Sequence, residues 1–350
     1  MKVNRDKLPV YAISGTEMQC GCRYGERWAT EMLGFYYQEL NPSADRLAYA
    51  RRCWKHVQQA APRSARFMKG MARGSGLALD QVTLLTLHEE VAHLPHCTAF
   101  AATGDATRGR KTLVAMNWDW AAQLYPWAGL LRLNAQGSPR VITYHYPGLW
   151  AGAGINEHGM ALMWTSSGHM PRLKPKVGLP TYVVIAEILR RKTVAGALRW
   201  LDSIVHAGSF IFLLGDAGGE IAVVEGLPGY TVVDQSAEAL SRANHYMCGD
   251  AVRRARQRLR RGKGVTTAYR AQRMARLVDE HVQQLGVRTA QEILTDRDGT
   301  GPWLHQFPWG PQRSTLSGMT IDSLLAVCED GALYTCRGGG ERGPWQRLRV

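Results

Sequence analysis

The spacing of apolar residues changes near Pro95, and this change constrains the fold more than any other feature of the sequence. Before it, apolar side chains recur at helical intervals, which predicts helices over 24–40, from Ser43 through Trp54, and over 80–91. After it, strand-like runs surround two predicted helices at 181–191 and 194–204 and a long basic helix pair at 250–284. Strands and helices grouped in this way predict a layered α+β fold rather than repeated βαβ units.

The predicted strands are short and bounded by turn residues. The runs after Pro95 are rich in β-branched and aromatic residues, and a Glu-Asp-Gly turn separates the last two. The predicted strands cover 98–102, 112–118, 140–144, 160–164, 210–214, 221–225, 230–233, 319–327 and 332–336.

Composition excludes several classes of protein. With 45% hydrophobic and 21% charged residues, the 350-residue chain can bury a core and need not be disordered. Its longest purely apolar run, 210–214, is far too short for a membrane helix, and residues 1–10 have no apolar signal-peptide centre. The seven cysteines are odd in number and lack CxxC spacing. We therefore expect a cytoplasmic protein with no membrane partner.

The first two predicted strands place a thiol near a carboxylate. If 98–102 pairs antiparallel with 112–118 so that paired residue numbers sum to about 216, Cys97 lies opposite Asp119. A free cysteine titrates near pH ~8.5 and needs a base to act as a nucleophile. An α-amino group, with a pKa of roughly 7.7–8.0, would serve if the chain were cut before Cys97. On spacing alone, a buried structural cysteine is the alternative interpretation.

A series of motifs in the same order resembles one known family. The segment from Cys97 to Asn117-Trp118-Asp119-Trp120 resembles the Cys-Thr…Asn-Trp-Asp segment of the acyl-coenzyme A:6-aminopenicillanate acyltransferase family of N-terminal nucleophile hydrolases. It is also similar to penicillin V acylases and bile salt hydrolases. Further matching segments, over roughly 15–340, are 74–91, 152–162, 213–226, 242–245 and 320–339.

The resemblance implies a fold, a maturation step and a reaction. The fold would be a four-layer αββα sandwich preceded by a helical segment. Cleavage of the His96–Cys97 bond would divide an inactive precursor into 1–96 and 97–350, with a basic helical insertion at about 250–285. The two pieces would remain partners. The mature protein would act without a metal or other cofactor on a small-molecule acyl amide or an acyl-coenzyme A thioester.

The resemblance also implies roles for individual residues. Cys97 would be the nucleophile, Asp119 would hold and polarise its amine or thiol, and Asn244 would donate to the oxyanion. Asn117 and Asn156 lie in matching motifs, but asparagine is also a common turn residue, so we interpret both as structural. Candidates for a late arginine and a Ser/Thr pair are Arg313, Thr315 and Ser317.

The sequence departs from the family pattern at three positions. His96 precedes the nucleophile where the family commonly has glycine, so cleavage itself is in question. Ser166 stands where the hydrolase cousins carry an asparagine, and Met116 where they carry an arginine. The last two differences favour the acyltransferase branch. For the acyl pocket, the loops at 123–129 and 168–180 and the residues Trp127 and Trp164 are candidates, although either Trp could belong to the core.

Two other functions compete with this hypothesis. His88 and His93 are five residues apart, not the four of the zinc-protease motif, so we expect no metal site. The run 253–276 holds nine Arg, one Lys and no acid, within a chain of net charge +14. It could bind nucleic acid or another phosphate, but it has a single aromatic residue, so we interpret it as a solvated insertion away from the nucleophile.

From the sequence we predict a self-processing N-terminal cysteine amidohydrolase or acyltransferase. The alternatives are a non-catalytic or unprocessed member of the same fold, or a phosphate-binding protein that uses the arginine-rich run. We expect no nucleic-acid partner. The sequence does not decide whether the protein is a homo-oligomer or which acyl substrate it takes. The acceptor could be water or an amine.

Overall fold

The computed structural model describes residues 7–37, 40–92, 97–167, 173–259, 266–297, 318–339 and 343–350. The α-helices are α1 Glu17–Glu31, α2 Ala44–Ala60, α3 Pro62–Ser75, α4 Leu79–Thr86, α5 His88–Val91, α6 Thr181–Ile188, α7 Val194–Asp202, α8 Gly249–Arg254, α9 Thr267–Glu280 and α10 Val287–Leu294. A π-helix, Met32–Tyr37, continues α1, and 3-10 turns occupy Gly104–Ala106, Arg108–Arg110 and Ala122–Trp127.

The strands form two sheets. They are β1 Val10–Gly15, β2 Thr98–Ala102, β3 Leu113–Ala121, β4 Gly129–Ala135, β5 Val141–Tyr146, β6 Leu149–Asn156, β7 Ala161–Thr165, β8 Phe210–Gly215, β9 Ile221–Leu227, β10 Tyr230–Asp234, β11 Ala239–Arg242, β12 Gly318–Val327, β13 Ala332–Arg337 and β14 Gln346–Arg349. Within the described residues, the first sheet has the order β1-β4-β5-β6-β7-β8-β9-β10 and the second β11-β2-β3-β12-β13-β14.

The two sheets pack face to face between two layers of helices. Met116 and Trp118 of β3 share the central core with β7 and β8, whereas Phe100, Ala115 and Leu325 pack with α9 and α10 on the other face of the second sheet. Helices α1, α3 and α6 cover the first sheet. This arrangement confirms the predicted four-layer αββα sandwich. Within the described ranges, no helix is both long and apolar enough to cross a bilayer.

Helices α1 and α3 approach each other at unusually short range. A Cβ added to Gly21 or Gly25 would lie 1.9 or 2.4 Å from a main-chain oxygen of α3, and one added to Gly70 or Gly74 would lie 2.2 or 2.0 Å from a main-chain oxygen of α1. Since only glycine lacks a Cβ, these four positions permit backbone-to-backbone contact between the helices. The pair then docks as a unit on the first sheet.

The N-terminal segment is built into the sandwich. Strand β1 extends the first sheet by pairing parallel with β4. A buried ion pair joins Arg190, at the end of α6, to Glu17 of α1 at 3.0 Å, and Arg190 also lies 3.2 Å from Glu187. Glu187 in turn accepts a hydrogen bond from the Ser64 hydroxyl of α3 at 2.8 Å. Residues before Cys97 therefore share one core with those after it.

The structure corrects several element boundaries. The first helix begins at Glu17, not near Tyr24, because Thr16 and Gln19 form a reciprocal capping box there. The Ser43 cap is confirmed by its bond from the Arg46 amide. The predicted helix at 80–91 is two helices, α4 and α5, and the basic helix pair at 250–284 is a short α8 and a separate α9.

Candidate active site

The hairpin that carries Cys97 is formed, but its register differs by one residue from the predicted one. Thr98 pairs with Asn117 and Ala102 with Leu113, so paired numbers sum to 215 rather than 216. Two 3-10 turns in the connection, Gly104–Ala106 and Arg108–Arg110, reverse the chain early. Because a shift of one residue exchanges the faces of a strand, Cys97 lies on the face of Trp118 and not on that of Asp119.

The Cys97 thiol is buried and protonated in this state. Its Sγ donates to the main-chain oxygen of Asp119 at 3.6 Å, not to the carboxylate. Burial, and next the charge of Asp119, raise the pKa of the thiol well above its usual value. Among the described residues, no histidine is hydrogen-bonded to Sγ. The thiol therefore needs a base that the described side chains do not supply.

The Asp119 carboxyl group lies on the helix-facing side of the sheet. Thr320 donates its hydroxyl to Oδ1 at 2.6 Å, and an irregularity of β12 between Thr320 and Asp322 keeps Thr320 opposite Asp119. Oδ2 is buried without a hydrogen-bond partner in the described part of the chain. Burial raises the pKa of Asp119 to about 7, although the nearby Arg270 and the Thr320 bond oppose this shift.

Arg270 links the residues of the site. Its guanidinium is fully buried and donates to the main-chain oxygen of Cys97 at 2.7 Å and to Oδ1 of Asn244 at 2.6 Å. Its Nε donates to the Thr266 hydroxyl at 2.9 Å. The prediction that the whole arginine-rich run lies away from the nucleophile is therefore wrong.

A sequence signal for Arg270 exists in the helical periodicity of α9. The buried positions of this helix are Thr267, Arg270, Ala271, Met274 and Val278. Counted from Thr267, they stand at positions i, i+3, i+4, i+7 and i+11, so they form one face. An arginine at such a position must find partners inside the protein.

Arg270 also fixes the orientation of the Asn244 side chain. A guanidinium can only donate, so the amide oxygen must face it and Nδ2 must point away. Nδ2 then donates to the main-chain oxygen of Ser166 at 2.9 Å. Asn244 is held further by the Thr267 hydroxyl, which accepts from its backbone N–H at 2.8 Å. The site thus presents an oriented amide donor beside Ser166.

The other two asparagines connect elements of the fold. Asn117 donates to the main-chain oxygen of Leu294 at 2.9 Å and accepts from the Ser323 hydroxyl at 2.6 Å. Asn156 accepts two backbone N–H bonds across its own turn, at 2.9 and 3.1 Å, and donates to two carbonyls after α6 and at its end. These contacts support the structural interpretation of both residues.

Several candidate residues lie outside the described residues. These are His93, His96, Arg313, Thr315 and Ser317. Of the two tryptophans suggested for an acyl pocket, Trp127 is 39% exposed on a 3-10 turn, whereas Trp164 is buried. One of the two tryptophans therefore lies at the surface and the other in the core.

The acidic helix α5 has a capping role. Oε1 of Glu90 accepts from the backbone N–H and the hydroxyl of Thr181, at 2.9 and 2.8 Å, which caps the N-terminus of α6. Burial raises the pKa of Glu90 to about 7. The His88 ring packs against Trp120 with 5.1 Å between centroids. Among the described residues, no group of three or more His, Cys, Asp or Glu could hold a metal.

The described residues of the arginine-rich run differ in their surroundings. Arg270 is buried, Arg256 and Arg258 are exposed, and four others form ion pairs with neighbouring acids. The pairs are Arg253 and Arg254 with Asp250, Arg273 with Asp296, and Arg276 with Glu280. This division weakens the phosphate-binding alternative, which required a single charged helix.

Comparisons with known proteins agree with this architecture. The family model of acyl-coenzyme A:6-aminopenicillanic acid acyl-transferase matches residues 106–338, which include Asp119, Asn244 and Arg270 but begin after Cys97. A variant of conjugated bile acid hydrolase from Clostridium perfringens is similar in structure, with a TM-score of 0.51 and 15% identity over 73% of this chain and 92% of that chain.

A second solved structure, penicillin V acylase from Agrobacterium tumefaciens, has a TM-score of 0.45 and 14% identity over 73% of this chain and 86% of that chain. The bile acid hydrolase likeness shows a shared fold. A comparison with curated proteins gave no match.

Proposed function

The chain belongs to the acyl-coenzyme A:6-aminopenicillanic acid acyl-transferase family, and on this basis we propose that it is a self-processing N-terminal cysteine amidohydrolase or acyltransferase. Cys97 is the nucleophile, and its own α-amino group, freed by cleavage after His96, is the base. The observation that carries the proposal is the buried guanidinium of Arg270, which joins Cys97 to Asn244.

The state of the thiol supports a latent precursor. Burial holds the Cys97 thiol in its protonated form, whereas activated cysteines have lowered pKa values. An α-amino group titrates near pH ~8 and is therefore a competent base at neutral pH. Asp119 lies close enough to act on Cys97 electrostatically, and its carboxylate would orient the ammonium form of that amine.

The maturation step is an intramolecular acyl transfer. The Cys97 sulfur attacks the His96 carbonyl carbon, the C–N bond breaks, and the nitrogen leaves as the new amine after it takes the thiol proton. Water then adds to the resulting thioester. This gives a carboxylate at His96 and restores the Cys97 thiol.

The same atoms carry out the reaction on a substrate. The amine accepts the thiol proton while sulfur attacks an amide or thioester carbonyl, and Nδ2 of Asn244 donates to the developing oxyanion. The proton then passes to the leaving amine or thiol. Water, or an amine acceptor, finally opens the acyl-enzyme at the same carbon. Loss of one such oxyanion donor can cost ~2.7–4 kcal/mol of transition-state stabilisation.

Intact mass spectrometry of the purified protein tests the proposal. We expect the wild-type chain to divide into 1–96 and 97–350 and the Cys97→Ala variant to remain whole. Cys22→Ala is the matched control, since Cys22 is half-buried on α1 and its thiol contacts Glu26, and it should be cleaved like the wild type. A wild-type chain that stays whole and hydrolyses no acyl amide or thioester would overturn the proposal.

A further inference from the structure

An aromatic cluster formed by Trp118, Trp120, Tyr146, Trp164 and Tyr182 extends from the space between the two sheets to α6. We propose that this cluster is the acyl-binding pocket and that it selects acyl groups carrying a second oxygen acceptor, a ketone, ether or amide, beyond the carbonyl that reacts. The inference rests on the proposed function, because it concerns the acyl group that Cys97 would carry.

The strand faces place the cluster on the side of the nucleophile. Alternate residues of β2, Ala99 and Ala101, belong to the core between the sheets, and Cys97 shares their parity and that core. The observed register sets Trp118 on the same face, and Trp120 follows by alternation. An acyl group bonded to Sγ would therefore point between the sheets, away from Asp119.

The rings of the cluster form a connected wall that spans both sheets and α6. Trp164 of β7 meets Trp118 of β3 edge-on, with 5.8 Å between centroids, and also meets Tyr182 edge-on at 5.8 Å. On the other side, Trp120 lies 5.6 Å from Tyr146. Such a wall provides the flat apolar surface that an acyl chain or ring requires.

Two tyrosines of the cluster are coupled to the nucleophile. Burial raises the pKa of Tyr182, and the charges of Glu89, Tyr146 and Cys97 add to the shift in that order. The pKa of Tyr146 is raised for the same main reason, with a smaller effect of Cys97. Trp164 lies two residues before Ser166, whose main-chain oxygen holds Asn244. The cluster is thus continuous with the candidate active site.

Three hydrogen-bond donors in the cluster are unused. Trp118 Nε1, Trp164 Nε1 and the Tyr182 hydroxyl are buried and have no partner in the described part of the chain. Buried polar atoms in folded proteins almost always have partners, so three exceptions in one cluster indicate a partner supplied from outside. An indole N–H can only donate, so that partner must offer an acceptor.

Charge limits the class of acyl group further. Asp322 is buried at the edge of the cluster and accepts from the Tyr144 hydroxyl, and Tyr144 lies 4.7 Å from Trp118 between ring centroids. The carboxyl group of Asp322 pairs with Arg337 at 3.8 Å, so neither side chain is left to neutralise a charged acyl tail buried here. The acyl group is therefore neutral and largely apolar, with one oxygen placed to receive the indole or phenol hydrogens.

The experiment compares two probes that differ at one carbon, a methylene in one and a ketone in the other: the 4-nitroanilides of hexanoic and 4-oxohexanoic acid. We expect wild-type kcat/KM to be at least about tenfold higher for the oxo probe, the effect of one added hydrogen bond to an otherwise unpaired donor. Tyr182→Phe and Trp164→Phe should each lower this preference toward equality. A ratio near one in the wild type, or one that neither substitution changes, would overturn the inference.

Trp150→Phe is the matched control. Trp150 is also buried with an unpartnered Nε1, but it stacks on Phe67 of α3, on the helix side of the first sheet. The preference should survive this change. If the wild type cleaves neither probe, the intact-mass experiment decides on the proposed chemistry, and calorimetric binding of hexananilide and 4-oxohexananilide to the Cys97→Ala variant tests the pocket alone. Tighter binding of the oxo compound supports the pocket, whereas equal or undetectable binding overturns it.

Discussion

Arg270 donates to the main-chain oxygen of Cys97 at 2.7 Å, across 173 positions of the sequence. The same guanidinium orients Asn244, so a single buried cation connects the proposed nucleophile to the amide that would stabilise the oxyanion. Burial lowers the pKa of Arg270, and the charge of Asp119 opposes that shift. We therefore propose that Arg270 is a positioning residue that acts through its geometry as well as its charge.

Arg270→Lys tests the geometry, because it keeps the charge and loses the planar fork. A lysine cannot bond both oxygens with the same geometry, so we expect kcat to fall by about 100-fold, with a smaller change in KM. Steady-state kinetics on an acyl substrate provide the measurement. Arg276→Lys, at an exposed pair with Glu280, should stay within about twofold of the wild type. Equal losses in both variants would remove Arg270 from the site.

Asp119→Asn separates activity from stability. We expect acyl transfer to slow severely, because the carboxylate that would hold the amine is lost. The free energy of unfolding, in contrast, should increase relative to the wild type. The folded-state pKa of Asp119 is about 7, above its unfolded value, so its contribution is present at low pH and is lost as pH rises toward 7. The variant should therefore gain stability relative to the wild type between pH ~4 and ~7.

Urea unfolding at a series of pH values measures this difference. Across that pH range, the free energy of unfolding of the variant can rise relative to the wild type by at most about 1.4 kcal/mol for each pH unit. The exposed Asp105→Asn serves as the control and should show no comparable trend. A stability difference for Asp119→Asn that is constant with pH, or unchanged turnover, would contradict the assignment.

The sequence predicted the strands better than the residues that surround the nucleophile. Strand β2 was predicted at its observed bounds, since its hydrophobic run is local. Its register against β3 was wrong by one residue, because the 3-10 turns at Gly104–Ala106 and Arg108–Arg110 set the reversal and leave little trace in composition. That single residue decides which wall of the sandwich the thiol faces.

Long-range polar contacts were the other feature that could not be predicted from the sequence. Arg270 stands among surface arginines, and only its helical phase distinguishes it. The family resemblance suggested Arg313 as a late arginine, and this residue lies outside the described residues. Thr320, which binds Asp119, was likewise not predicted, because the β12 irregularity that brings it there depends on the paired strand and not on local sequence.

Arg190→Met should weaken the packing of the N-terminal segment against the rest of the sandwich. It would leave Glu17 and Glu187 buried without their cation, and breaking a buried pair in this way typically costs ~3–5 kcal/mol of unfolding free energy. Chemical denaturation measures the loss. Arg140→Met, at the exposed pair with Glu157, should cost under about 1 kcal/mol. Similar costs for both would show that burial does not strengthen the first pair.

Gly70→Ala should separate helices α1 and α3. The new Cβ would lie 2.2 Å from the Met18 oxygen and 2.8 Å from the Cys22 nitrogen, so the backbones must move apart. We expect a loss of about 1–3 kcal/mol or more in unfolding free energy, as for other overpacked sites. Gly34→Ala is the control, since a Cβ there meets nothing within 4 Å. A neutral Gly70→Ala would argue against close packing of the pair.

His145 should make the packing of α1 against the first sheet sensitive to acid. Its ring is buried among Trp28, Tyr11 and Tyr24, with centroids 4.6, 5.5 and 5.9 Å away. Burial lowers its pKa to about 3, and the nearby charge of Arg27 opposes protonation further. A histidine whose folded pKa is depressed contributes stability above its unfolded pKa near 6.5 and loses it as pH falls toward 3.

The loss should approach about 1.4 kcal/mol per pH unit below pH ~6, and His145→Phe should remove it, because a phenyl ring fits the aromatic site without taking up a proton. Denaturant unfolding of the wild type and the variant from pH ~7 to pH ~4 isolates this slope, since other titrating groups cancel in the difference. His158→Phe, on an exposed turn, should retain the wild-type slope. If His145→Phe and the wild type lose stability in parallel, His145 is protonated without penalty and the acid sensitivity lies elsewhere.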